Sequence, residues 1–413
     1  MYKALPGRPS VSKKLRQEAA GLTPQCGCRC QQRLSATPPT HKHLTRAATL
    51  LEMPLLVIYN PVCGPGTARS LFEDTIIPLI VEQGHHPDRI EETTHEGHAG
   101  EIVLDFLRSV DGPVSIVLGS GDGTLHEIVC ALHAAHASSD HREINIALVP
   151  CGTANALYAT LFPPTAPDEV PDKLQSLRVF LGDAPTARPL TLATTRLISP
   201  SAEVVRSSVS AVVASTALHA SILHDSEALR AEYPGIERFK LAAQQNIARW
   251  YHATVHLLPP CSRYLPDEDR FVPCEIDELP GPFAYFLSTV NVDRLEPFFR
   301  ITPLHSTIPP PPLPHPPTLD AVVIRPLRDP SINDESEESR EHFAKQSMVI
   351  LGGAYQDGAH AKMVYSPTGQ IVAASDDRAQ ETVVEYFRCG GWEWIPVCSN
   401  FITSGPKSHS LTE

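Results

Sequence analysis

The chain has 413 residues, 42% of them apolar and 20% charged, with a net charge of −13. That length predicts two or three domains, and no apolar run approaches the ~18 residues of a helical membrane span. No charged-then-apolar start reads as a secretory signal, so the expected compartment is reducing and cytoplasmic, and the ten cysteines are expected to be free thiols.

Residues 1–52 hold nine Lys/Arg against Glu18 and Glu52, a balance of +7 that leaves −20 on the rest. They are rich in Pro, Ser, Thr and Gln without apolar period, which predicts a disordered leader. A basic leader on an acidic body points to an anionic membrane surface and a peripheral attachment. The acidic body, with no dense basic stripe, argues against nucleic acid as a partner. Cys26, Cys28 and Cys30 are spaced wrongly for zinc pairs. Beside basic residues they fit S-palmitoylation, against plain unmodified cysteines.

From Leu55 the pattern alternates. Leu55–Tyr59, Arg89–Glu92, Val114–Leu118 and Ile144–Val149 read as strands. Helical periods over 67–83, 98–110 and 124–136 and from about Ala154 separate and follow them, and Pro78 is expected to kink the first helix or to mark its last turn. This βαβαβαβα order predicts a parallel sheet, a Rossmann-like nucleotide domain over residues 53–185. Beyond it, Pro189–Arg196, Ser208–Ser215, Ala253–Leu258, Ala284–Asn291 and Leu319–Ile324 read as strands without crossover helices. One helical stretch, Ser226–Trp250, interrupts them. The expectation for 186–398 is an antiparallel β-sandwich domain. Within it, Pro309–Pro317 has seven prolines and reads as a polyproline II linker, and Asp329–Glu341 as a solvated acidic loop. Residues 399–413 read as a disordered tail.

Three glycine-bearing turns follow three predicted strands: Asn60-Pro-Val-Cys-Gly64-Pro-Gly66, Gly119-Ser-Gly121-Asp122-Gly123-Thr124 and Pro150-Cys-Gly152-Thr153-Ala-Asn155. Open parallel sheets bind ligands beyond the carboxyl ends of their strands. Glycine lets backbone approach a phosphate, and a following helix supplies amide donors. Neither a Walker P-loop nor G-x-G-x-x-G is present, which argues against an ordinary NTPase or dinucleotide dehydrogenase.

Asn-Pro-x-x-Gly-x-Gly, Gly-Asp-Gly-Thr and Pro-x-Gly-Thr-x-Asn together resemble the diacylglycerol kinase catalytic superfamily, which includes sphingosine and ceramide kinases. Ser120-Gly-Asp-Gly-Thr-Leu-His-Glu127 resembles the sphingosine and ceramide kinase side most. His219–Phe239 resembles the substrate-side signature, and Thr318–Pro326 a later family strand. The resemblance implies a nucleotide domain, a β-sandwich lipid domain and an active site between them, with ATP and Mg²⁺. It implies transfer of the γ-phosphoryl group to a primary hydroxyl of a sphingoid long-chain base, with ceramide or diacylglycerol as alternatives.

Phosphoryl transfer needs phosphate positioning, charge neutralisation and a proton acceptor. Asp122, between two glycines, is the candidate base; its bland alternative is a turn residue. Asn60, Gly64, Gly66, Gly121, Gly123, Thr124, Gly152, Thr153 and Asn155 are expected around the phosphates. Glu127 would hold ribose or Mg²⁺ through water, or simply favour a helix start. Arg230 and Arg238 resemble phosphate-contacting arginines, with surface ion pairs to nearby glutamates as the alternative. Asp225 and Ser221 fall in the substrate-side block, and Asp320 is a candidate for ordering Mg²⁺ through water. Two departures stand out. No acidic residue precedes Asp225 to pair with a sphingoid amine, and no Asp-Gly-Glu-like turn follows Pro396. The second favours an incomplete or altered carboxyl end and a catalytically impaired lipid- or nucleotide-binding protein. NAD kinases and phosphofructokinases share a Gly-Gly-Asp-Gly turn but lack the arginine block. The sequence leaves oligomeric state open, a homodimer included.

Overall fold

The computed structural model describes residues 29–35, 53–135, 142–166, 169–182, 186–233, 235–275, 278–311, 315–374 and 381–397. The chain enters the fold with a strand, β1 (Arg29–Ser35), which joins the second lobe. The first lobe begins at β2 (Leu55–Tyr59), whose five residues are all buried. A run buried on both faces is what a central parallel strand requires. β3 (Arg89–Glu92), β4 (Val114–Ser120) and β5 (Ile144–Pro150) complete a sheet of order β3-β2-β4-β5, parallel throughout.

Alternate residues face opposite layers. Leu55, Val57, Tyr59, Val117 and Val149 pack against Phe72, Ile76, Ile80, Leu177 and Phe180. These come from α1 (Ala68–Leu71, continued by a π turn Phe72–Ile76 and by Ile77–Glu82) and from α5 (Gln175–Leu181). On the other face, Leu56, Ile58, Ile116 and Leu118 pack against Ile102, Val103, Phe106, Leu125 and Ile128. These belong to α2 (His98–Ser109) and α3 (Asp122–Ala135). The short α4 (Ala156–Leu161) follows the third glycine turn. The helix does not stop near Pro78. The wider π turn just before it accommodates a ring that would clash with a carbonyl four residues back, and the helix runs on to Glu82.

The second lobe is antiparallel, as expected. β6 (Leu192–Ile198), β7 (Val204–Ser210) and β8 (Val213–Thr216) precede α6 (Ala217–Leu229) and α7 (Glu237–Asn246). Residues 226–250 are thus not one helix: Pro234-Gly235 stands between two, a pair that neither donates nor favours helical backbone. β9 (Ala253–Leu265), β10 (Arg270–Pro273), β11 (Glu278–Pro280), β12 (Tyr285–Thr289), the short α8 (Leu304–Thr307) and β13 (Leu319–Ile324) follow. Then come α9 (Glu337–Gly352), a small sheet of β14 (Met363–Tyr365), β15 (Ile371–Ala373) and β16 (Glu381–Thr382), and β17 (Glu385–Pro396).

The large sheet runs β7-β6-β1-β17-β13-β12-β8, with β9 on the other side of β17 carrying β10 and β11. β17 is its spine. Glu385–Cys389 pair with β13, Gly391–Trp394 pair with β1, and β9 lies along the opposite edge. A Cβ on Gly391 would stand 2.2 Å from the Gln32 carbonyl oxygen, so β1 sits where only glycine admits it. β17 is therefore interior and paired on both sides.

Three further expectations are corrected. Residues 29–35 of the supposed disordered leader form an ordered strand, paired with β6 on one side and β17 on the other. Gln32 is fully buried, its Oε1 2.8 Å from Ser288 Oγ, which in turn accepts from Trp392 Nε1 at 3.0 Å. Cys30 packs partly buried beside the Phe283, Phe286, Trp392 and Trp394 cluster, and burial pushes its thiol up to about 11, a setting that disfavours acylation there. Cys26 and Cys28 lie outside the described residues. The acidic stretch 329–341 is not a solvated loop throughout. Ser336 caps α9 by accepting from Ser339 N, Asp334 accepts from Ser336 and Ser339, and Glu337 and Glu338 occupy a first turn whose dipole favours them. Of the proline run, residues 309–311 and 315–317 form no helix or strand, and 312–314 lie outside the described residues, as do 399–413.

The lobes share a core. Val209, Ala211, Val212 and Val292 of the second lobe join the cluster of α2, α3 and the parallel sheet.

Candidate active site

The three glycine turns leave the carboxyl ends of β2, β4 and β5, which are neighbours in the sheet, so topology alone brings them together. They are also packed on one another. A Cβ on Gly64, at φ +51°, would lie 2.3 Å from the Cys151 carbonyl oxygen, and one on Gly152 would lie 2.5 Å from Gly121 Cα. Most of this glycine content is therefore explained by turn against turn. Gly123 is the exception. It is exposed and its Cβ would meet nothing, so packing gives no reason for glycine there. Gly66 closes the first turn, its N–H donating to Cys63 O at 2.9 Å.

Side chains lock this arrangement. Asn155 accepts from Gly152 N at 2.9 Å and donates to Gly152 O at 2.8 Å. Asn60 accepts from Val62 N at 3.1 Å, and its Nδ2 lies 3.5 Å from Thr124 Oγ1, to which the Ser120 hydroxyl also donates. These residues hold the turns rather than point into open space. Thr153 is exposed, and Glu127 is half-buried one turn beyond Gly123 with no hydrogen-bond partner among the described residues.

Asp122 sits at the centre. Its Oδ2 accepts from Ala156 N at 2.7 Å and its Oδ1 from Leu157 N at 3.1 Å, so the carboxylate caps the α4 start across two turns. Burial raises its pKa, and the backbone N–H groups of Leu157, Ala156 and Asp122 itself oppose that rise. A carboxylate with each oxygen bonded once still has lone pairs, and a raised pKa brings it closer to neutrality, as a general base needs.

Beside the first and third turns lies a cavity of ≈ 140 Å³, lined by Pro65, Cys151, Gly152, Asn155, Tyr158 and Lys173, among others. Lys173 was not legible as a site residue: it stands in an irregular acidic-proline stretch with no period or motif. Replacing Gly152 with Ala is expected to force the second and third turns apart, lowering the thermal midpoint and loosening any ligand held there. An Ala variant with unchanged melting temperature would contradict the turn-on-turn packing.

The second-lobe candidates fall elsewhere. Arg230 makes a forked ion pair with Glu227 at 2.7 and 2.9 Å, which is the surface-pair alternative. Arg238 is buried with its guanidinium 4.4 Å from the Phe239 ring centroid; burial first, then the Arg230 charge, lowers its pKa. Ser221 accepts from Tyr251 Oη at 2.8 Å, and Asp225 accepts from Asn246 at 2.8 Å beside His224, which holds its pKa down first. Both sit on α6, which packs against α7, β8 and β12. Asp320 is corrected: its carboxylate is buried, bonded to Arg388 Nε at 2.7 Å and Nη2 at 3.0 Å and to Tyr386 Oη at 2.7 Å. Its charge is already paired with Arg388, which makes it a poor candidate for ordering Mg²⁺.

Sequence reasoning also missed Asp293, which ties the lobes. Buried in the second lobe, it accepts from Thr160 of α4 at 3.2 Å, Arg294 at 2.8 Å, Arg300 at 2.9 Å and Ser306 at 2.7 Å. Burial pushes its pKa up, but Arg294, Ser306 and Arg300 outweigh it and hold the carboxyl below the ordinary value. A depressed carboxyl contributes stability above the unfolded pKa of about 4 and loses it as pH falls through the folded value. Urea midpoints of the wild type should therefore fall in acid below about pH 4, more steeply than those of Asp293→Asn.

Residues 54–182 match the family model of the diacylglycerol kinase catalytic domain, which is the class of domain that the three turns suggested. Sphingosine kinase 1 of Arabidopsis thaliana is 34% identical over 125 residues, 30% of this chain and 24% of that protein. The mitochondrial acylglycerol kinase of Mus musculus is 32% identical over 106 residues, 26% of this chain and 24% of that protein. The chain thus spans about a quarter of the length of these relatives. A solved diacylglycerol kinase from Bacillus anthracis str. Sterne covers 82% of this chain and 94% of its own at 14% identity and a TM-score of 0.37.

Proposed function

We propose that the protein is an ATP-dependent lipid kinase that phosphorylates a primary hydroxyl of a sphingoid long-chain base. The observation that carries the reading is the convergence of the three glycine turns around Asp122 inside a diacylglycerol kinase-type domain. The sphingosine kinase among the relatives favours the sphingoid acceptor, and the acylglycerol kinase keeps glycerolipids as the alternative.

The residues fit ATP with Mg²⁺. Exposed Gly123 and Thr153 leave backbone and hydroxyl donors open beside the turns, and Lys173 supplies a cation in the adjoining cavity. Glu127 is the carboxylate near the second turn that no side chain engages among the described residues, so it suits a Mg²⁺ water shell. Bound Mg²⁺ would neutralise charge on the transferring phosphoryl group. Asp122 then takes the acceptor hydroxyl proton on the lone pairs that Ala156 and Leu157 leave free. The second reading is a catalytically impaired binding protein, which the engagement of both Asp122 oxygens favours. Radiolabelled ATP with sphingosine, ceramide, diacylglycerol and monoacylglycerol tests both. Label in sphingosine is expected. ATP binding without label in any lipid would sink the kinase reading in favour of the second.

Among the described residues no helix is long and apolar enough to cross a membrane. The reading places the protein in the cytoplasm, brought to anionic membrane by the basic residues ahead of β1.

A further inference from the structure

Two cysteines stand in the glycine turns themselves, and the chemistry above uses neither. Cys63 is in the first turn, half-buried; Cys151 is in the third, 4% exposed; both are free thiols. The backbones around them touch, since the position of a Gly64 Cβ is 2.3 Å from the Cys151 carbonyl oxygen. Cys63 packs on the cluster that contains Cys151, and the two thiols lie close enough for each to shift the other's titration. The first turn is pinned by Cys63 N to Asn60 O at 3.3 Å and the third by Cys151 N to Ser120 O at 3.1 Å, so both sulfurs are carried on fixed backbone.

We propose that Cys63 and Cys151 are a modification site, a thiol pair that a hydroperoxide converts to a disulfide, fastening the first glycine turn to the third. Their surroundings divide the roles. The neighbouring Cys151 lowers the Cys63 pKa against burial, helped by Lys173 and Ser120; Cys63 and burial raise that of Cys151. Cys63, the more exposed of the two, is then the attacking sulfur and the buried Cys151 its partner. The Cys63 sulfur attacks one peroxide oxygen; an S–O bond forms, the O–O bond breaks, and the departing hydroxide takes a proton to become water. Cys63 is now a sulfenic acid. The Cys151 sulfur attacks it; the S–S bond forms, the S–O bond breaks, and water leaves with the Cys151 proton. Two thiols lose two electrons and one hydrogen peroxide becomes two waters.

The molecule carries its own comparison. Cys261 of β9 and Cys274 beyond β10 have sulfurs 3.0 Å apart on opposed strands. The full chain is treated with hydrogen peroxide, alkylated, digested without reductant and mapped by mass spectrometry. A Cys63–Cys151 linked peptide is expected, reversed by dithiothreitol. Cys151→Ser should leave Cys63 as a sulfenic acid that dimedone labels, and Cys63→Ser should leave Cys151 unmodified at the same dose. Cys63 and Cys151 still alkylated after Cys261–Cys274 has linked would overturn the proposal, as would dimedone labelling of Cys63 in the wild type with no linked peptide. A further arm rests on the nucleotide reading: ATP with Mg²⁺ should slow linking several-fold. Linking at an unchanged rate would keep the modification site and count against the nucleotide cleft alone.

Discussion

Deleting residues 1–52 is expected to abolish the folded protein, whereas deleting 1–28 leaves it standing. The larger deletion takes β1 from between β6 and β17, where it pairs over seven residues with the first and four with the second. Two strands would then expose unpaired edges to solvent. The buried Ser288–Trp392 pair would lose Gln32, and Gln31 and Arg29 would no longer meet Glu393. A lost central strand is comparable with the whole stability of a domain, about 5–15 kcal/mol. Soluble expression, circular dichroism and thermal melts check this: a 53–413 chain melting within a few degrees of the intact one would show that β1 is dispensable. The 29–413 chain separates folding from targeting. It loses five Lys/Arg and Glu18 but no sheet residue. With each basic residue worth about 1 kcal/mol near anionic lipid, it should fold normally and co-sediment less with phosphatidylserine vesicles.

Asp122→Asn is expected to abolish phosphoryl transfer and also to cost stability. The amide can accept from one of Ala156 N and Leu157 N, but its NH₂ then faces the other donor. An unsatisfied buried donor costs about 1–3 kcal/mol. The substitution therefore removes the proton acceptor and loosens the α4 start together. Turnover by rapid-quench and the urea midpoint should fall in parallel; Asp122→Ala should be at least as damaging. Turnover retained within a few-fold would end the assignment of Asp122 as base. A large loss of turnover with an unchanged midpoint would mean that the cap contributes nothing and the carboxylate acts in chemistry alone.

The nucleotide lobe was legible because its signals are local. Continuous apolar runs such as Leu55–Tyr59 and Val114–Leu118 can only be strands buried on both faces, and glycine after each marks the ligand edge. What failed was non-local. Nothing within Arg29-Cys-Gln-Gln-Arg-Leu-Ser35 announces a strand, because its hydrogen bonds are supplied by residues more than 150 positions away in sequence. The Gly390-Gly391 pair was the one faint sign, since adjacent glycines inside a β17-like run imply another backbone pressed against it. Asp320 misled for a related reason. A carboxylate in a family-like strand looks available until Arg388, 68 residues on, is folded against it. The acidic stretch at 334–338 was read by charge alone, where Ser336 followed by two glutamates carried a helix start.

α4 is six residues long, roughly 9 Å from end to end. One end presents its amides to Asp122, and Thr160 near the other holds the buried carboxylate of Asp293. The helix is thus a strut between the lobes. A shift of the second lobe at Asp293 would therefore reach the two amides that hold the Asp122 carboxylate. The seating of one lobe and the bonding of the other's central carboxylate are, in mechanical terms, joined through this one short helix.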